Sequence, residues 1–509
     1  HNTQWGTVCP AETPEGGSVG VVKNLAILTM VTNMTNPQPI YYQVENSGLI
    51  KLSELGDSEG KKVSFNKMSE YGKVFINGNW LGLHPDLGSL MKKLKTLRRM
   101  SIINIYTSIS WNMFDNELNI YTDGGRCTRP LLVVFTTENE KGIKKSNLRI
   151  SASDIDKIKR GSYKWKNLLK GLYESEYSES VNYKSNIEEG VIEYIDVEES
   201  HNCLIAMKQS DLKKNLQYTH CELHPSMMLG TSAFYLGFLQ NNPSQRNSMG
   251  IAQSKQSIGT FITNFNHRID TTTHILHYPE RPLAVTRMNK YMHGDKLGMG
   301  HNITVAITTY DGYNQEDGII GNGMSLDMGL FNTTMFKQYK DFEKTDDKIS
   351  SYERFYNPLS DISYDDENLN VETLMHKNRN YSKLDKYGFI KEGSYIEKDD
   401  VIFGKYIKIR NAQGIDEYKD VSKIAVKDHY GSVVDKTFTC ITNRSGDRLA
   451  KVRLAQFRKP IIGDKFASRY AQKGTFGMIL KREDMPFSEN GIIPDMLLNP
   501  YGYPKRMTV

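Results

Sequence analysis

The sequence predicts a mixed α+β, β-rich, multidomain chain. Its 509 residues make about three or four packed units at roughly 100–200 residues each. Segments of alternating apolar and polar residues recur along it, separated by turns rich in Gly, Pro and Asn. Only one stretch, 87–97, carries an apolar stripe at helical spacing for more than two turns. With 38% hydrophobic and 24% charged residues, the composition is that of a folded chain, and of neither a disordered segment nor a membrane protein.

Residues 1–40 open on the turn-rich PAETPEGG and run into the apolar segment 21–31, a first core element. From Tyr41 to about Leu83 the pattern is strand-like. Asn77-Gly78, between KVFI and NWLGL, predicts a two-residue hairpin turn, because both residue types accept positive φ. Leu87, Leu90, Met91, Leu94 and Leu97 then share one face against Lys92, Lys93, Lys95, Arg98 and Arg99, an amphipathic helix on a small β unit. Alternation resumes at 102–109 and 118–121, and a basic, Ser-rich region covers about 141–186. Residues 340–382, rich in Asp, Lys, Asn and Tyr with little periodicity, predict an exposed insertion. These shifts divide the chain at about 40, 104 and 195, leaving 196–509 as one core of short strands. His1 in place of Met, and the uncapped Met507-Thr508-Val509, read as cuts at both ends.

Five widely spaced cysteines (Cys9, Cys127, Cys203, Cys221, Cys440) form no C-x-x-C pair and are odd in number. A reducing, intracellular compartment is expected. There is no run of 18 or more apolar residues, so no membrane span is expected. The net charge is +6, and between Lys451 and Val509 eleven Lys or Arg stand against five Asp or Glu. A local basic excess is the electrostatic footprint of nucleic-acid or polyphosphate binding; a solvated basic face is the plain alternative.

No Walker phosphate loop, H-E-x-x-H, G-x-S-x-G or complete dinucleotide fingerprint is present, which weakens simple hydrolase and dehydrogenase readings. His220, Cys221 and His224 in THCELHPS lack a second ligand cluster for a structural metal, so packing is the reading for them. His267, His274 and His277 are similarly unsupported. The adjacent acids Glu316-Asp317 follow the strand-like NITVAITTY, where a turn would offer both to a hard cation carrying phosphates. Two solvated turn acids is the alternative. Lys465 in GDKFASR and Lys473 in AQKGT lie beside Gly463 and Gly474, which let backbone approach a ligand. Arg246 in PSQRNSMG and Arg506 in YPKRMTV add groups that grip phosphate in pairs, whereas lysine acts as a point charge. Four cations with a carboxylate pair form a kit for a metal-bound triphosphate. Glu15 in PAETPEG stands equally for turn structure or for approach to nucleic acid, and Glu483-Asp484 pairs locally with Lys481 and Arg482.

Ordered blocks then give the chain a relative. They are HNTQWGTVCPAETPEG (1–16), KVFINGNWLG (73–82), TDGGRCTRPL (122–131), YTHCELHPSMMLG (218–230), RNSMG and KQSIG (246–259) and GYNQED (312–317). KLDKYGFIKEG (383–393), DDVIFGK (399–405), IGDKFASRYAQKGTFG (462–477) and the closing 482–509 follow. Over nearly its whole length the chain resembles the second-largest subunits of multisubunit DNA-dependent RNA polymerases, the Rpb2/β family. The wording of YNQED and THCELHPS is similar to the eukaryotic, archaeal and large-DNA-virus branch.

The resemblance implies that residues 1–40 end the fork region, 41–104 and 105–195 are the external 1 and 2 domains, and 196–509 is a hybrid-binding domain with a double-psi β-barrel, truncated at its C-terminus. It implies one side of the active centre of a DNA-directed RNA polymerase, a nucleotidyltransferase, inactive alone because the largest subunit carries the Asp triad for the catalytic magnesium. No D-x-D-G-D-like string occurs here. By the same resemblance an RNA 3′-hydroxyl attacks the α-phosphate of a ribonucleoside triphosphate. Arg246 and Arg506 clamp the triphosphate, Lys465 and Lys473 hold the RNA end and incoming phosphates, and Glu316 with Asp317 faces Mg2+ shared with the largest subunit and the nucleotide. The implied partners are the largest and smaller polymerase subunits, the DNA template and the RNA transcript, with no membrane. The implied location is nucleus or cytoplasm, a viral factory or virion included.

Three departures stand out. Tyr470-Ala471 occupies the family's usual His-Gly, Lys505-Arg506-Met507 its usual Ser-Arg-Met, and HGDKLGMGH within 292–301 a shorter Pro/Gly/Gln turn. A non-catalytic nucleic-acid-binding scaffold from a split or decayed polymerase gene is the competing reading. It would keep the basic patch without needing all six charged residues, which are present. A stand-alone two-metal nuclease would need more clustered carboxylates, and a single-chain RNA-dependent polymerase would need the missing Asp triad.

Overall fold

The computed structural model describes residues 4–56, 62–138, 144–169, 189–213, 217–346, 351–360, 374–411 and 413–509. The chain divides into two compact units, 1–234 with 247–251, and 235–246 with 252–509.

In the first unit the Asn77-Gly78 turn closes the hairpin of Gly72–Ile76 and Asn79–His84, with φ of 51° and 81°. Both values lie in the left-handed region that this turn type requires. The hairpin sits within a five-stranded sheet ordered Ile50–Lys51, Asn79–His84, Gly72–Ile76, Glu117–Tyr121, Ser108–Asn112. This sheet takes strands from both sides of residue 104. The helix Leu87–Arg99 is capped by Asp86, whose carboxylate accepts from the Ser89 N–H at 3.0 Å. Leu87, Leu90 and Leu94 bury against Val74, Ile76, Ile109, Leu118 and Ile120, each leucine contributing about 1.5–3 kcal/mol.

The strand-like expectation from Tyr41 fails at its start, because Gln38–Glu45 is a helix. Ile40 and Val44, four apart, are its buried pair, the spacing that puts two side chains on one helical face. The segment 21–31 supplies only the strand Met30–Val31, and Val21 and Val22 are exposed.

A second sheet is built on the long strand Cys127–Glu138, which pairs with Met30–Val31, Lys144–Leu148, Ile192–Asp196 and His220–Cys221. Of the basic region 141–186, residues 141–143 and 170–186 lie outside the described residues. His220 and Cys221 are in a strand and His224 caps the 3-10 turn Pro225–Met228.

Arg98, assigned above to the solvent side of its helix, is instead buried at 2% exposure. Its guanidinium donates to Glu193 (Nε 3.0 Å, Nη2 2.5 Å), to both oxygens of Glu199 (2.6 and 2.8 Å) and to the Thr107 carbonyl (2.6 Å). Arg99 and His220 reach the other Glu193 oxygen at 3.1 and 2.8 Å, and Lys95 reaches Glu199 at 3.2 Å. Burial by itself raises the pKa of both glutamates. The attraction of Arg98, with the His220 hydrogen bond and Arg99 on Glu193 and with Lys95 on Glu199, outweighs it and holds both below the ordinary carboxylate range.

In the second unit a five-stranded mixed sheet runs Val305–Ile307, Met496–Leu498, Gly318–Asn322, Lys473–Leu480, Lys465–Ala467. Ile319, Phe476 and Met496 fill one core cluster, while Ile320, Leu480 and Leu497 fill another. Apolar contacts on both faces explain the continuous apolar runs of these strands. An antiparallel sheet of Thr272–Leu276, Thr333–Phe342, Arg448–Arg458 and Val433–Thr442 lies in the same unit. The expected insertion at 340–382 is partly sheet: Thr345–Asp346 and Ser351–Phe355 join Lys405–Arg410 and Asp416–Asp420. Residues 347–350 and 361–373 lie outside the described residues. No closed barrel is traced among the described residues. No helix among them is long and apolar enough to cross a membrane.

Candidate active-site cleft

The loop before Gly318–Asn322 is pinned by Asn314, a buried residue whose amide donates to the Thr308 carbonyl (2.7 Å) and accepts from the Tyr310 N–H (3.1 Å). Glu316 then takes φ +52°, and with Asp317 it is exposed at the N-terminal end of the strand. The acids thus open the second strand of this region instead of closing Val305–Ile307.

Strand Lys473–Leu480 runs parallel beside Gly318–Asn322, and the Thr475 N–H donates to the Asp317 carbonyl at 3.0 Å. Glycines make that approach possible. A Cβ on Gly474 would lie 2.8 Å from the Asp317 carbonyl oxygen, and one on Gly477 would lie 2.5 Å from that of Tyr313. Gly474 therefore makes room for the acid loop.

A cleft of about 40 Å³ is lined by Glu316, Asp317, Gln472, Lys473, Asn499 and Arg506, among others. Arg506, in the short helix Gly502–Arg506, pairs with the Asp317 carboxylate through Nη2 and donates to the Gln472 side chain through Nη1. Burial, and after it the like charge of Arg246, lowers the Arg506 pKa from its ordinary value. Arg246, near the start of helix Ser244–Ser254, donates from Nη1 to the Ala471 carbonyl at 3.3 Å. Lys465 is outside the cleft lining. It pairs in register with Thr475, two residues along the strand from Lys473, so the two lysines project from the same face of the ribbon.

Four of the six expected residues thus line one cleft, Arg246 adjoins it through Ala471, and Lys465 follows along the ribbon. Gln472 and Asn499 were not anticipated; the place of Gln472 between Ala471 and Lys473 was the available signal. Other cations of the basic stretch are engaged structurally. Arg453, 2% exposed, donates to the carbonyls of Phe265, Asn266 and Arg268, and Arg469 donates to that of Ala284. Glu15 is exposed at the turn Gly16–Ser18, and Glu483 and Asp484 are exposed on the turn Arg482–Asp484. His277 is satisfied by the Thr334 hydroxyl at 2.6 Å. Among the described residues no cluster of three or more His, Cys, Asp or Glu side chains could hold a metal alone.

RNA polymerase Rpb2, domain 6, matches residues 232–509, more than half of the chain. The chain belongs to the RNA polymerase Rpb2 family. Domains 3, 4 and 5 of the family match 1–31, 74–135 and 183–225. DNA-directed RNA polymerase II subunit RPB2 of Encephalitozoon cuniculi is 38% identical over 100% of this chain and 42% of its own length. Subunit 2 of RNA polymerase II from Arabidopsis thaliana is 37% identical over 100% of this chain and 40% of its own length. The archaeal subunit Rpo2 of Sulfolobus acidocaldarius is 32% identical, with 100% and 42% covered. The chain spans about two fifths of the length of these curated relatives.

One departure from the family pattern now has a physical meaning. Ala471 is 2% exposed and stands at φ +62°, a conformation that costs a non-glycine residue roughly 1–2 kcal/mol. That accounts for the glycine expected there. Ala471→Gly is expected to stabilise the second unit by about 1 kcal/mol, part of the relief being offset by the entropy of glycine, and to raise its Tm by about 2–4 °C. Thermal unfolding of the two proteins checks this, and an unchanged or lowered Tm goes against the strain argument.

Proposed function

We propose that the cleft is the nucleotide-addition side of a DNA-directed RNA polymerase active centre, and that the chain acts as one subunit and makes no RNA without the largest one. The convergence of Glu316, Asp317, Lys473 and Arg506 from three distant chain segments carries this reading. A scaffold that only holds nucleic acid has no use for paired carboxylates among its cations, since acids repel the phosphate backbone. The phosphates of an incoming ribonucleoside triphosphate lie against Arg506 and Arg246, with Lys473 and Lys465 along the ribbon for the RNA end. Fixed charges of this kind position the reacting groups and offset charge that builds on phosphate oxygens.

The residues present fit a magnesium ion that arrives with its nucleotide. Magnesium is commonly held by one or two carboxylates together with substrate phosphates, and Glu316 with Asp317 supplies two. When bound, the ion would neutralise phosphate charge. The two parallel pairings, of Val305–Ile307 with Met496–Leu498 and of Gly318–Asn322 with Lys473–Leu480, support assigning this sheet to a double-psi barrel of the hybrid-binding domain. The external domains then fall within 41–225, divided after about 121 where the first sheet ends. DNA, RNA and the smaller subunits are the further partners, in an intracellular setting.

The test is single-nucleotide addition against magnesium concentration in an enzyme reassembled with the largest subunit. Asp317→Asn, which keeps an acceptor for Arg506 and removes the charge, is expected to move the midpoint up by about tenfold. One charge contact in a wet site is worth at least about 1 kcal/mol. DNA binding is expected to hold steady, and the chain alone in the same assay to add nothing. Superimposable titrations would remove Asp317 from the site, and template-dependent addition by the lone chain would refute the subunit reading.

A further inference from the structure

Arg506 is held from two sides by unlike groups. On one side is the Asp317 carboxylate, and on the other the neutral amide of Gln472. The Gln472 Nε2 donates to the Thr508 hydroxyl at 2.6 Å, which turns Oε1 toward the guanidinium. The two holds respond differently to a charged ligand. A phosphate competes with Asp317 for Arg506, and a cation competes with Arg506 for Asp317, so the ion pair opens when both arrive. An amide oxygen offers no charge to displace, and its hydrogen bond to a guanidinium survives while leaving the positive charge whole.

We infer that Gln472 is a positioning residue, which keeps the Arg506 guanidinium aimed into the cleft after Asp317 has released it. A carboxylate at 472 would hold Arg506 but cancel its charge, and an apolar side chain would leave the charge without a direction. The same stretch of backbone serves the neighbouring cations. Ala471 gives its carbonyl to Arg246, and Lys473 lines the cleft. Three consecutive residues thus set two arginines and a lysine in one frame. The inference rests on the reading of Arg506 as a triphosphate ligand.

The experiment is single-nucleotide addition by the reassembled polymerase, with apparent KM and maximal rate measured for Gln472→Ala and Gln472→Met alone and in Arg506→Ala and Arg246→Ala backgrounds. Methionine keeps the length of the side chain and loses its polar atoms, so it guards against a loop that alanine loosens. Both single variants are expected to raise the nucleotide KM roughly tenfold, the size of one hydrogen bond to a charged group. Maximal rate stays within about twofold, as for an interaction shared by ground and transition states. With Arg506 already removed they add nothing further, and with Arg246 removed the two effects multiply. The same rise in the Arg506→Ala background, or no rise at all while Arg506→Ala itself raises KM, overturns the role of Gln472 and leaves that of Arg506 standing. An Arg506→Ala enzyme with unchanged KM sinks the triphosphate reading, and with it the inference.

Discussion

Arg98→Ala is expected to destabilise the first unit by about 3–5 kcal/mol, the cost of removing one partner from a buried ion cluster. Glu193 and Glu199 are 3% and 0% exposed, and without Arg98 they keep their charge with little water to solvate it. Arg99, Lys95 and His220 remain as partners but face only parts of the two carboxylates. Arg98→Met with Glu193→Gln and Glu199→Gln is expected to recover a substantial part of the loss, since the uncompensated charge is then gone. Urea unfolding of the three proteins measures this, and a loss below 1 kcal/mol for Arg98→Ala would show that water reaches the cluster. The same cluster sets a pH dependence. Both glutamates are held below their ordinary value of 4.5, so their contribution is fully present above that pH and is lost as pH falls through the folded-state values. Arg98→Ala removes the main attraction, and the acid sensitivity of the first unit should change with it.

What was legible in the sequence depended on whether a pattern had a single physical cause. Asn77-Gly78 and the apolar stripe of 87–97 did, and both appear as read. Arg98 did not. Charged residues on a helix belong to the solvent face by default, yet Arg98 lies four residues after Leu94 and so on the buried stripe. The counterpart signal was Glu193 in the fully buried strand Ile192–Asp196, because a carboxylate among apolar strand residues calls for a buried cation. Tyr41–Glu45, the later part of the helix Gln38–Glu45, was read as strand because one buried pair, Ile40 and Val44, gives too little periodicity to decide. In the cleft, charge made Glu316, Asp317, Lys473 and Arg506 conspicuous, while neutral Gln472 was hidden by its chemistry. A packing reason for Gly474 was not legible: only the parallel pairing with Gly318–Asn322 shows that it makes room for the Asp317 carbonyl.

Arg506→Ala, in the reassembled enzyme, is expected to raise the apparent KM for nucleotide by about 10–100-fold, the range for losing a charge-assisted contact of about 1.5–3 kcal/mol. Arg506→Lys should fall between, because lysine restores the charge without the planar fork that meets two phosphate oxygens at once. Magnesium gives a second, opposite readout. Removing Arg506 leaves the Asp317 carboxylate without its ion-pair partner, so the cation no longer competes with a guanidinium for it. The magnesium midpoint should therefore fall in Arg506→Ala even as the nucleotide KM rises, whereas a variant that merely misfolds would impair both. Asp317→Asn in the Arg506→Ala background should cancel the magnesium gain and leave the nucleotide defect. Nucleotide titrations at several fixed magnesium concentrations separate the two effects. A KM within twofold of wild type at saturating magnesium would mean that the Arg506–Asp317 pair is a structural tie at the rim of the cleft and that the triphosphate is gripped elsewhere.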